Sequence, residues 1–446
     1  AGLPPAAAGA PNVLLIVLDT VRALNWSLHG YARETTPRLD GWARTGTRFT
    51  TALATASWTL PSHASLFTGR FAHELSADWM RPLDRRWPTL AETLAARGYA
   101  TAGFTANLGY TSRETGVHRG FARYEDYPIS VRWTLNCSGL GRTITRSRSV
   151  QRLLRRGLGL AGSVKDADQV NAAFLRWLDR RPARRPFFAF LNYIDVHDHL
   201  ISPTFAGKFG ADWGKQPDHR PGARWTEAEA RWRVDRYDES LARLDAKVGA
   251  LLDSLAARGL TEATLVIVTA DHGEEFGEHG VISHGHTLYR PSVHVPLVFV
   301  RPGQVPAGRA VEMPVSLRDL PATIMDLVGG GEPHPFPGRS LAALWRDPQA
   351  ADPARPIAST IRRVANQVPW YPASVGDLHA VVLGDLRYIV NVGSRREELY
   401  RMTADPLERH DLSATPEGAA ALPRFRRVLA ALLGTPAAAG RRAQGE

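Results

Sequence analysis

The sequence predicts an α/β protein with a large, mostly parallel central sheet flanked by helices and a smaller C-terminal α+β subdomain. Several short apolar runs are typical of buried parallel strands, because both faces of such strands are covered. Helical patterns separate these runs, which is the alternation that a parallel sheet requires. Composition agrees: a chain of 446 residues with 44% hydrophobic and 22% charged residues can bury a substantial core.

The predicted strands place acidic residues at the carboxyl edge of the sheet. The strands are Val13–Leu18, Phe187–Ile194, Leu265–Thr269 and Pro296–Val300. The predicted helices are Thr36–Gly46, Pro88–Arg97, Asp166–Arg180 and Trp225–Leu255. Asp19, Asp195 and Asp271 follow the first three strands. Since ligand sites in such sheets lie at the carboxyl ends of strands, these residues are the first candidates for chemistry.

The chain divides into four predicted parts. Residues 1–11 are expected to be a linker, 12–345 a catalytic domain with an insertion at about 108–165, 346–433 a C-terminal subdomain, and 434–446 a disordered tail. The subdomain prediction rests on the short apolar pieces His379–Leu383 and Leu386–Val390, with a helix near Pro423–Leu433.

Composition also limits the function classes. The single cysteine, Cys137, excludes an intramolecular disulfide framework and a cysteine-based zinc site. A net charge of +11 favours anionic partners, but no nucleic-acid motif accompanies it, so no nucleic acid is expected. The basic segment Gly141–Gly162 suits an anionic lipid surface, or is simply a solvated helix face.

Localisation and assembly stay open at this level. No stretch reaches the roughly 20 apolar residues that a membrane-spanning helix needs. If an upstream signal has been removed, we expect a periplasmic, secreted or membrane-associated protein, and otherwise a cytoplasmic one. The oligomeric state is unknown.

The segment Ser57–Arg70 (SWTLPSHASLFTGR) carries a candidate nucleophile. It turns at Pro61 and then has the pattern of a helix start. Backbone N–H groups and the helix dipole favour an anion there. Thr59 is therefore a candidate alcohol nucleophile aimed at a bound phosphate. The alternative is that Thr59 or Ser62 only caps the helix.

Two further segments cluster titratable side chains. Phe190–Leu200 contains Asp195, His197 and His199 at the end of an apolar strand, or alternatively in a solvated loop. Asp195 and His199 have a spacing that suits a second metal ion, and His197 can donate hydrogen bonds to a substrate oxygen.

The other segment, Thr269–Gly280, places Asp271 and His272 at a strand end, and His284 and His286 follow. Mixed Asp and His ligands suit zinc, manganese or iron, whereas carboxylates alone suit calcium or magnesium.

Together these segments resemble the alkaline phosphatase superfamily, and within it the sulfatase-like branch. PNVLLIVLDT with GYARETTPRLDGWARTGTRF is similar to that branch's opening strand, first metal Asp and following helix. WTLPSHASLFTGR resembles its nucleophile motif, and FFAFLNYIDVHDHL resembles the strand that bears a substrate-binding His. TADHGEEFGEHG with HGHTLYRPSVHVPLVF resembles its second metal motif. VSLRDLPATIMDLVGG with GRSLAALW, and then ELYRMTADPLERHDL, resemble its later segments, so the matches cover nearly the whole chain.

The chain departs from true sulfatases at the nucleophile. Those enzymes oxidise a Cys or Ser to formylglycine at the position of Thr59, and threonine cannot give that aldehyde. The Arg that usually follows the Pro-Ser pair is His63, and His284 or His286 replaces an expected lysine. With a threonine as nucleophile and Asp and Asp-His ligands, the chain resembles the phosphatases, phosphodiesterases and phosphoethanolamine transferases of the superfamily.

The resemblance implies a set of site residues. Asp19, Thr59, Asp271 and His272 are expected to hold one divalent ion, with zinc or manganese favoured and calcium or magnesium as alternatives. The expected catalytic residues are Thr59, His197, His284 and His286. The expected substrate-binding residues are Asn107, His63 and Arg22. Arg22 alternatively orients Asp19 or forms a surface salt bridge. If Asp195 and His199 join His286, a second metal ion fits.

The expected function is hydrolysis of a phosphate or phosphonate ester through a phospho-Thr59 intermediate. A sulfatase acting without formylglycine and a phosphoryl headgroup transferase are the alternatives, with a non-catalytic anion-binding module as a third. The expected partner is a small-molecule phosphate, phosphonate or sulfate ester.

Overall fold

The computed structural model describes residues 4–127, 165–182, 184–197, 199, 203–210, 224–329, 333–365 and 368–434. Most of the predicted insertion, with the basic segment Gly141–Gly162, lies outside the described residues, as does the predicted tail beyond 434. Within the described part of the chain, no helix is long and apolar enough to cross a membrane.

A nine-stranded sheet forms the centre of the protein. Its strands are β1 (Asn12–Leu18), β2 (Thr47–Leu53), β3 (Ala100–Thr105), β4 (Arg123–Glu125), β5 (Phe187–Tyr193), β6 (Thr264–Thr269), β9 (His294–Val300), β10 (Arg309–Val311) and β11 (Val315–Ser316). The order is β10-β2-β9-β6-β1-β5-β3-β4, and β11 also pairs with β2. Between β6 and β9 a two-stranded ribbon forms from β7 (Glu275–Phe276) and β8 (Ile282–Ser283).

The predicted fold class is confirmed, with one strand running against the rest. The central strands β1, β5 and β6 are parallel and buried along their whole length. However, β9 is antiparallel to both β6 and β2. Residues 270–293 connect β6 to β9 and form the ribbon β7–β8 and the short helix Arg290–Val293, with no helix long enough to cross the face of the sheet. The chain therefore re-enters the sheet at the carboxyl end of β6, because a parallel return runs through a crossover that is usually a full α-helix.

Helices cover the sheet, and their starts follow the capping rules. The longer helices are Pro37–Ala43, Thr59–Thr68, Leu90–Ala96, Ala167–Arg180, Glu227–Ala257 and Leu320–Leu327. Thr89, Asp166 and Thr226 each accept a backbone N–H at the start of a helix, and a Glu or Gln three residues on returns the bond.

The C-terminal part forms a second, antiparallel sheet. Its strands are β12 (Ile357–Ile361), β13 (Leu378–Leu383), β14 (Leu386–Asn391) and β15 (Arg396–Arg401), in that order, and the helix Pro416–Leu432 packs on it. The short helix Pro372–Val375 contacts β14, whereas Ala342–Arg346 packs on the central sheet through Trp345, which meets Phe49 and Phe299.

A buried ion pair joins the second sheet to the segment that precedes β9 of the central sheet. Arg387 of β14 donates to Glu408 at 2.7 Å and also to the backbone carbonyl of Leu288. Glu408 in turn accepts the backbone N–H of Arg290 at 2.8 Å. Both charged side chains of the pair are almost fully buried. The loop that follows His284 and His286 is thereby held by the second sheet.

Candidate active site

The site begins where β1 and β6 end side by side. Asp19 follows β1, Asp271 follows β6, and both are wholly buried. Thr20 has a left-handed backbone (φ 61°), which aims its N–H at Asp271 Oδ1 over 3.2 Å. The parallel register of the two strands therefore brings these two carboxylates together, as the apolar runs predict.

The pair of carboxylates is electrostatically unfavourable on its own. Burial and then the charge of Asp271 raise the pKa of Asp19, and burial also raises the pKa of Asp271. Asp19 Oδ1 and Asp271 Oδ2 are buried and have no hydrogen-bond partner among the described residues. One ligand atom from each of Asp19, Asp271 and His272 lies within 4.8 Å of the other two. Two unpaired carboxylate oxygens beside an imidazole nitrogen are the donor set of a divalent cation, so the residues fit the predicted metal.

His272 presents a lone pair to this group. Its Nδ1–H donates to the Gly273 carbonyl at 3.0 Å, which leaves Nε2 unprotonated. Nε2 lies 3.1 Å from Thr59 Oγ and 3.4 Å from Asp271 Oδ2. Burial, followed by the neighbouring His284, lowers the pKa of His272 to about 3, so the ring is neutral at physiological pH.

Thr59 is the first residue of the buried helix Thr59–Thr68. The first backbone N–H groups of a helix have no partner within it and favour an anion in front of them. Ser62, one turn into the helix, donates to the Asp271 carbonyl at 2.5 Å. This bond fixes the helix against the loop that carries Asp271 and His272. The Thr59 hydroxyl therefore sits at a helix start beside the two carboxylates.

Three imidazole rings lie side by side at the site. The His284 ring is 4.5 Å from that of His272 and 5.2 Å from that of His197, measured between centroids. His284 Nδ1 lies 3.2 Å from Glu274, a buried carboxylate whose pKa is raised by burial. Burial and then His197 lower the pKa of His284 to about 3.

His286 stands apart from these three rings. Its ring lies 4.7 Å from that of Tyr371 and 6.5 Å from that of Trp58, measured between centroids. Its buried Nδ1 has no hydrogen-bond partner in the described part of the chain.

The predicted second metal site is not assembled. Asp195 forms a buried ion pair with Arg243 and accepts the Ala167 N–H at 3.1 Å, so its charge is already neutralised. Across the described residues, only Asp19, Asp271 and His272 form a trio of ligands close enough to share a cation. His199 takes a left-handed backbone (φ 49°) and joins no such group.

The three predicted substrate-binding residues form hydrogen bonds to protein groups of the site. His63 is fully buried, and its Nδ1–H donates to the Thr59 carbonyl at 2.9 Å. Asn107 donates to Asp19 Oδ2 at 2.7 Å. Arg22 is buried and binds Glu278 at 2.6 Å and the Glu274 carbonyl at 3.0 Å, which also makes the predicted surface salt bridge wrong. These contacts fix the Thr59 carbonyl, Asp19 and the Glu274 carbonyl, and the substrate-binding role of the three residues stays a prediction.

Sequence reasoning missed Asn192 and Glu274. Asn192, inside β5, accepts the N–H groups of Ala106 and Asn107 with one side-chain oxygen. An amide in the middle of the apolar run Phe187–Ile194 was the available signal, because a buried polar group needs partners. No comparable sequence signal separated Glu274 from its acidic neighbours Glu275 and Glu278. In the structure these two bind His279 and Arg22 instead of the site.

We expect Asn107→Ala to weaken metal binding about 10- to 100-fold, because the group that orients a ligand contributes on that scale. Among the described residues, the Asn107 amide is the group that donates to Asp19 Oδ2 and fixes its orientation. Zinc or manganese Kd values measured by calorimetry check this. Asn12→Ala removes an amide at the other end of β1, and it should leave the Kd unchanged. An unaltered Kd in Asn107→Ala would contradict the assigned role.

Gly285 sets the position of Trp58. Its backbone is left-handed (φ 75°), and an added Cβ would lie 1.9 Å from the Trp58 ring. The Trp58 ring in turn lies 5.3 Å from the His284 ring and adjoins Thr59 in the chain. A side chain at residue 285 must therefore move Trp58.

We expect Gly285→Ala to lower kcat/KM about 100-fold, because displacements of about 1 Å near reacting groups have that effect. Gly303→Ala is the matched control, since Gly303 has a similar φ of 77° with nothing within 4 Å of the added atom. If both variants lose activity equally, backbone strain and not the position of Trp58 is responsible.

Comparison with known proteins agrees with this architecture. Residues 11–330 match the Sulfatase family. The chain belongs to the Sulfatase family, since that match spans well over half of its length.

Individual relatives cover most of the chain. Human arylsulfatase A (Homo sapiens) is 28% identical over 96% of this chain and 89% of the relative. Bovine arylsulfatase A (Bos taurus) is 32% identical over 74% of this chain and 66% of the relative. Among solved structures, the phosphonate monoester hydrolase of Agrobacterium radiobacter superposes with a TM-score of 0.72 at 22% identity, covering 95% of each chain. The latter likeness concerns the fold.

Proposed function

We propose that this protein is a metal-dependent hydrolase of phosphorus esters that uses Thr59 as its nucleophile. The observation that carries the proposal is the position of Thr59 Oγ. It lies 3.1 Å from an unprotonated His272 nitrogen, at a helix start, beside two carboxylates with unpaired oxygens. A hydroxyl held among these groups has the surroundings of an activated alcohol.

The proposed reaction has two balanced steps. Thr59 Oγ attacks phosphorus, the bond from phosphorus to the ester oxygen breaks, and the alcohol leaves with a proton. Water then attacks phosphorus, and the bond from phosphorus to Thr59 breaks. His197 and His284 would hold a proton or contact the phosphoryl oxygens; the His284 ring adjoins His272, and the His197 ring adjoins His284, which supports these roles.

A divalent ion would be held by Asp19, Asp271, His272 and the Thr59 oxygen. When bound, such an ion lowers the pKa of a coordinated alcohol and offsets the charge of the phosphoryl group. The mixed oxygen and nitrogen donors favour zinc or manganese over calcium or magnesium. Burial holds His272 neutral, as a ligand must be.

The charge of the site favours a singly charged ester. The pKa values of His272 and His284 are lowered by burial, so neither ring adds positive charge near neutrality. One cation and two carboxylates then leave little positive charge for a doubly charged phosphate monoester. A phosphodiester or a phosphonate monoester carries one charge fewer and suits this balance better.

Two alternatives remain in view. The arylsulfatase names of the human and bovine relatives favour sulfate esters. Threonine opposes that assignment, because a secondary alcohol cannot be oxidised to the aldehyde that sulfatases use. A transferase would replace water by a second alcohol in the second step.

Metal-resolved turnover tests the proposal. The protein is stripped with chelator, and zinc, manganese, magnesium or calcium is restored singly. Each form is assayed with four p-nitrophenyl substrates: a phosphate monoester, a phosphodiester, a phenylphosphonate monoester and a sulfate ester. We expect the phosphodiester or phosphonate to be preferred with zinc or manganese. A preference for the sulfate ester would overturn the proposal, and product formation that depends on an added alcohol would indicate a transferase.

A further inference from the structure

A half-open pocket of about 200 Å³ lies beside the start of the helix Thr59–Thr68, next to the second sheet. Trp58, Trp79, Ile361 and Val364 supply apolar walls. The two indole rings meet edge to face at 6.3 Å. Nothing in the metal group uses this space, although Trp58 is the residue that precedes Thr59.

Three side chains that line the cavity have a buried polar atom without a partner among the described residues. These atoms are Trp58 Nε1, His73 Nδ1 and His379 Nδ1. His73 Nε2–H donates to the Leu432 carbonyl at 3.1 Å, so its Nδ1 carries a lone pair. Burial lowers the pKa of His73, and lowers that of His379 to about 4, which keeps both rings neutral. The cavity therefore offers at least one acceptor and one indole donor.

The one arginine that lines the pocket among the described residues is already paired. Arg362 binds Asp78 at 3.1 Å, and Asp377 accepts the backbone N–H of Arg363 at 2.7 Å. An anionic occupant would therefore gain little from this lining, whereas burying its charge is costly. A neutral occupant with a hydroxyl group fits the lining.

The volume of the pocket suits an occupant with one ring. Cavities of about 150 Å³ hold a benzene molecule. A volume of about 200 Å³ leaves room for a ring with one or two small substituents. The indole walls favour an aromatic ring, since aromatic pairs gain about 0.5–1.5 kcal/mol beyond the area they bury.

We propose that this pocket binds the alcohol part of the ester, as a neutral six-membered aromatic ring whose oxygen, freed as a hydroxyl when its bond to phosphorus breaks, contacts His73, His379 or Trp58. The assignment rests on the proposed function, because it takes the ring to be the group that leaves phosphorus. Trp58 connects the two sites, since its ring lines the cavity and lies 5.3 Å from that of His284.

Binding of phenol to the resting protein tests the cavity without turnover. We expect phenol to bind at least about tenfold more tightly than toluene, since one hydrogen bond to a buried acceptor has that value. Ala77 lines the cavity and is buried, so Ala77→Leu fills it and should weaken phenol binding about tenfold or more. Ala256→Leu adds the same atoms on the exposed surface and should not.

A second variant covers the case in which Ala77→Leu fails to fold. His379→Leu keeps an apolar wall and removes one polar group, so the preference for phenol over toluene should shrink. Equal binding of phenol by the wild type and both cavity variants would overturn the proposal.

Turnover then separates the two levels of inference. Phenol should compete with an aryl phosphodiester, and Ala77→Leu should lower kcat/KM for that ester about tenfold. If phenol binds in the cavity but inhibits without competing, the cavity is not a leaving-group site. If no phosphorus ester turns over while phenol still binds in a manner sensitive to Ala77→Leu, the proposed function fails and the cavity assignment to a neutral aromatic alcohol stands.

Discussion

Thr59→Ala should lower turnover of the preferred phosphorus ester by about four orders of magnitude or more, which is the usual loss when a nucleophile is deleted. The residual rate would come from the remaining ion and helix start, as in other enzymes without their nucleophile. Initial rates with metal-saturated protein measure this loss. Thr59→Ser keeps the hydroxyl and should retain substantial activity.

The matched control lies on the same helix. Thr68→Ala removes the same atoms at the far end, where the hydroxyl bonds only to the Ala64 carbonyl. It should leave kcat unchanged. Acid quenching during turnover should trap phosphothreonine at residue 59 in the wild type, and none in Thr59→Ala. Activity that survives Thr59→Ala would mean that water attacks the ester directly.

Asp19→Asn should stabilise the metal-free protein while removing the stabilisation that metal provides. Burial and the charge of Asp271 raise the pKa of Asp19, so its ionised form destabilises the metal-free fold at neutral pH. Replacing this carboxylate by an amide of the same shape should raise the free energy of unfolding by about 1–3 kcal/mol. Without the ligand, added zinc should no longer raise Tm.

The control variant for Asp19→Asn should change the free energy of unfolding in the opposite direction. Asp319 is equally buried but accepts two hydrogen bonds from Arg355, at 2.9 and 2.6 Å. Asp319→Asn should therefore lower the free energy of unfolding, because it leaves a partly buried guanidinium without its counter-charge. Chemical denaturation of chelated and zinc-loaded protein measures both variants. A metal-free Asp19→Asn protein less stable than the wild type would argue against a cation site.

The features that sequence could predict are those set by local pattern. Apolar runs followed by Asp19 and Asp271 gave the strands, their direction and the meeting of two carboxylates at one edge. The pattern of Ser57–Arg70 predicted a helix start in this segment, although the helix begins at Thr59 and includes Pro61, where a turn was expected. These inferences need only the periodicity of strands and helices and the geometry of parallel sheets.

The features that sequence could not predict are contacts between distant residues. Arg243, on a helix 48 positions beyond Asp195, neutralises the carboxylate that was expected to bind a second metal. Arg22 meets Glu278 across 256 positions, so its role as a substrate contact could not be tested by spacing. The reversed direction of β9 follows from a connection without a crossover helix, and an apolar run looks the same in either direction.

The ion pair between Arg387 and Glu408 affects how the protein unfolds. Arg387 reaches the Leu288 carbonyl and Glu408 reaches the Arg290 N–H, so separating the two sheets would leave two buried charges and two backbone groups unpaired. Such a junction is too costly to open before either sheet melts. The catalytic part and the second sheet should therefore denature in a single calorimetric transition, and hydrogen exchange in β14 should be as slow as in β1.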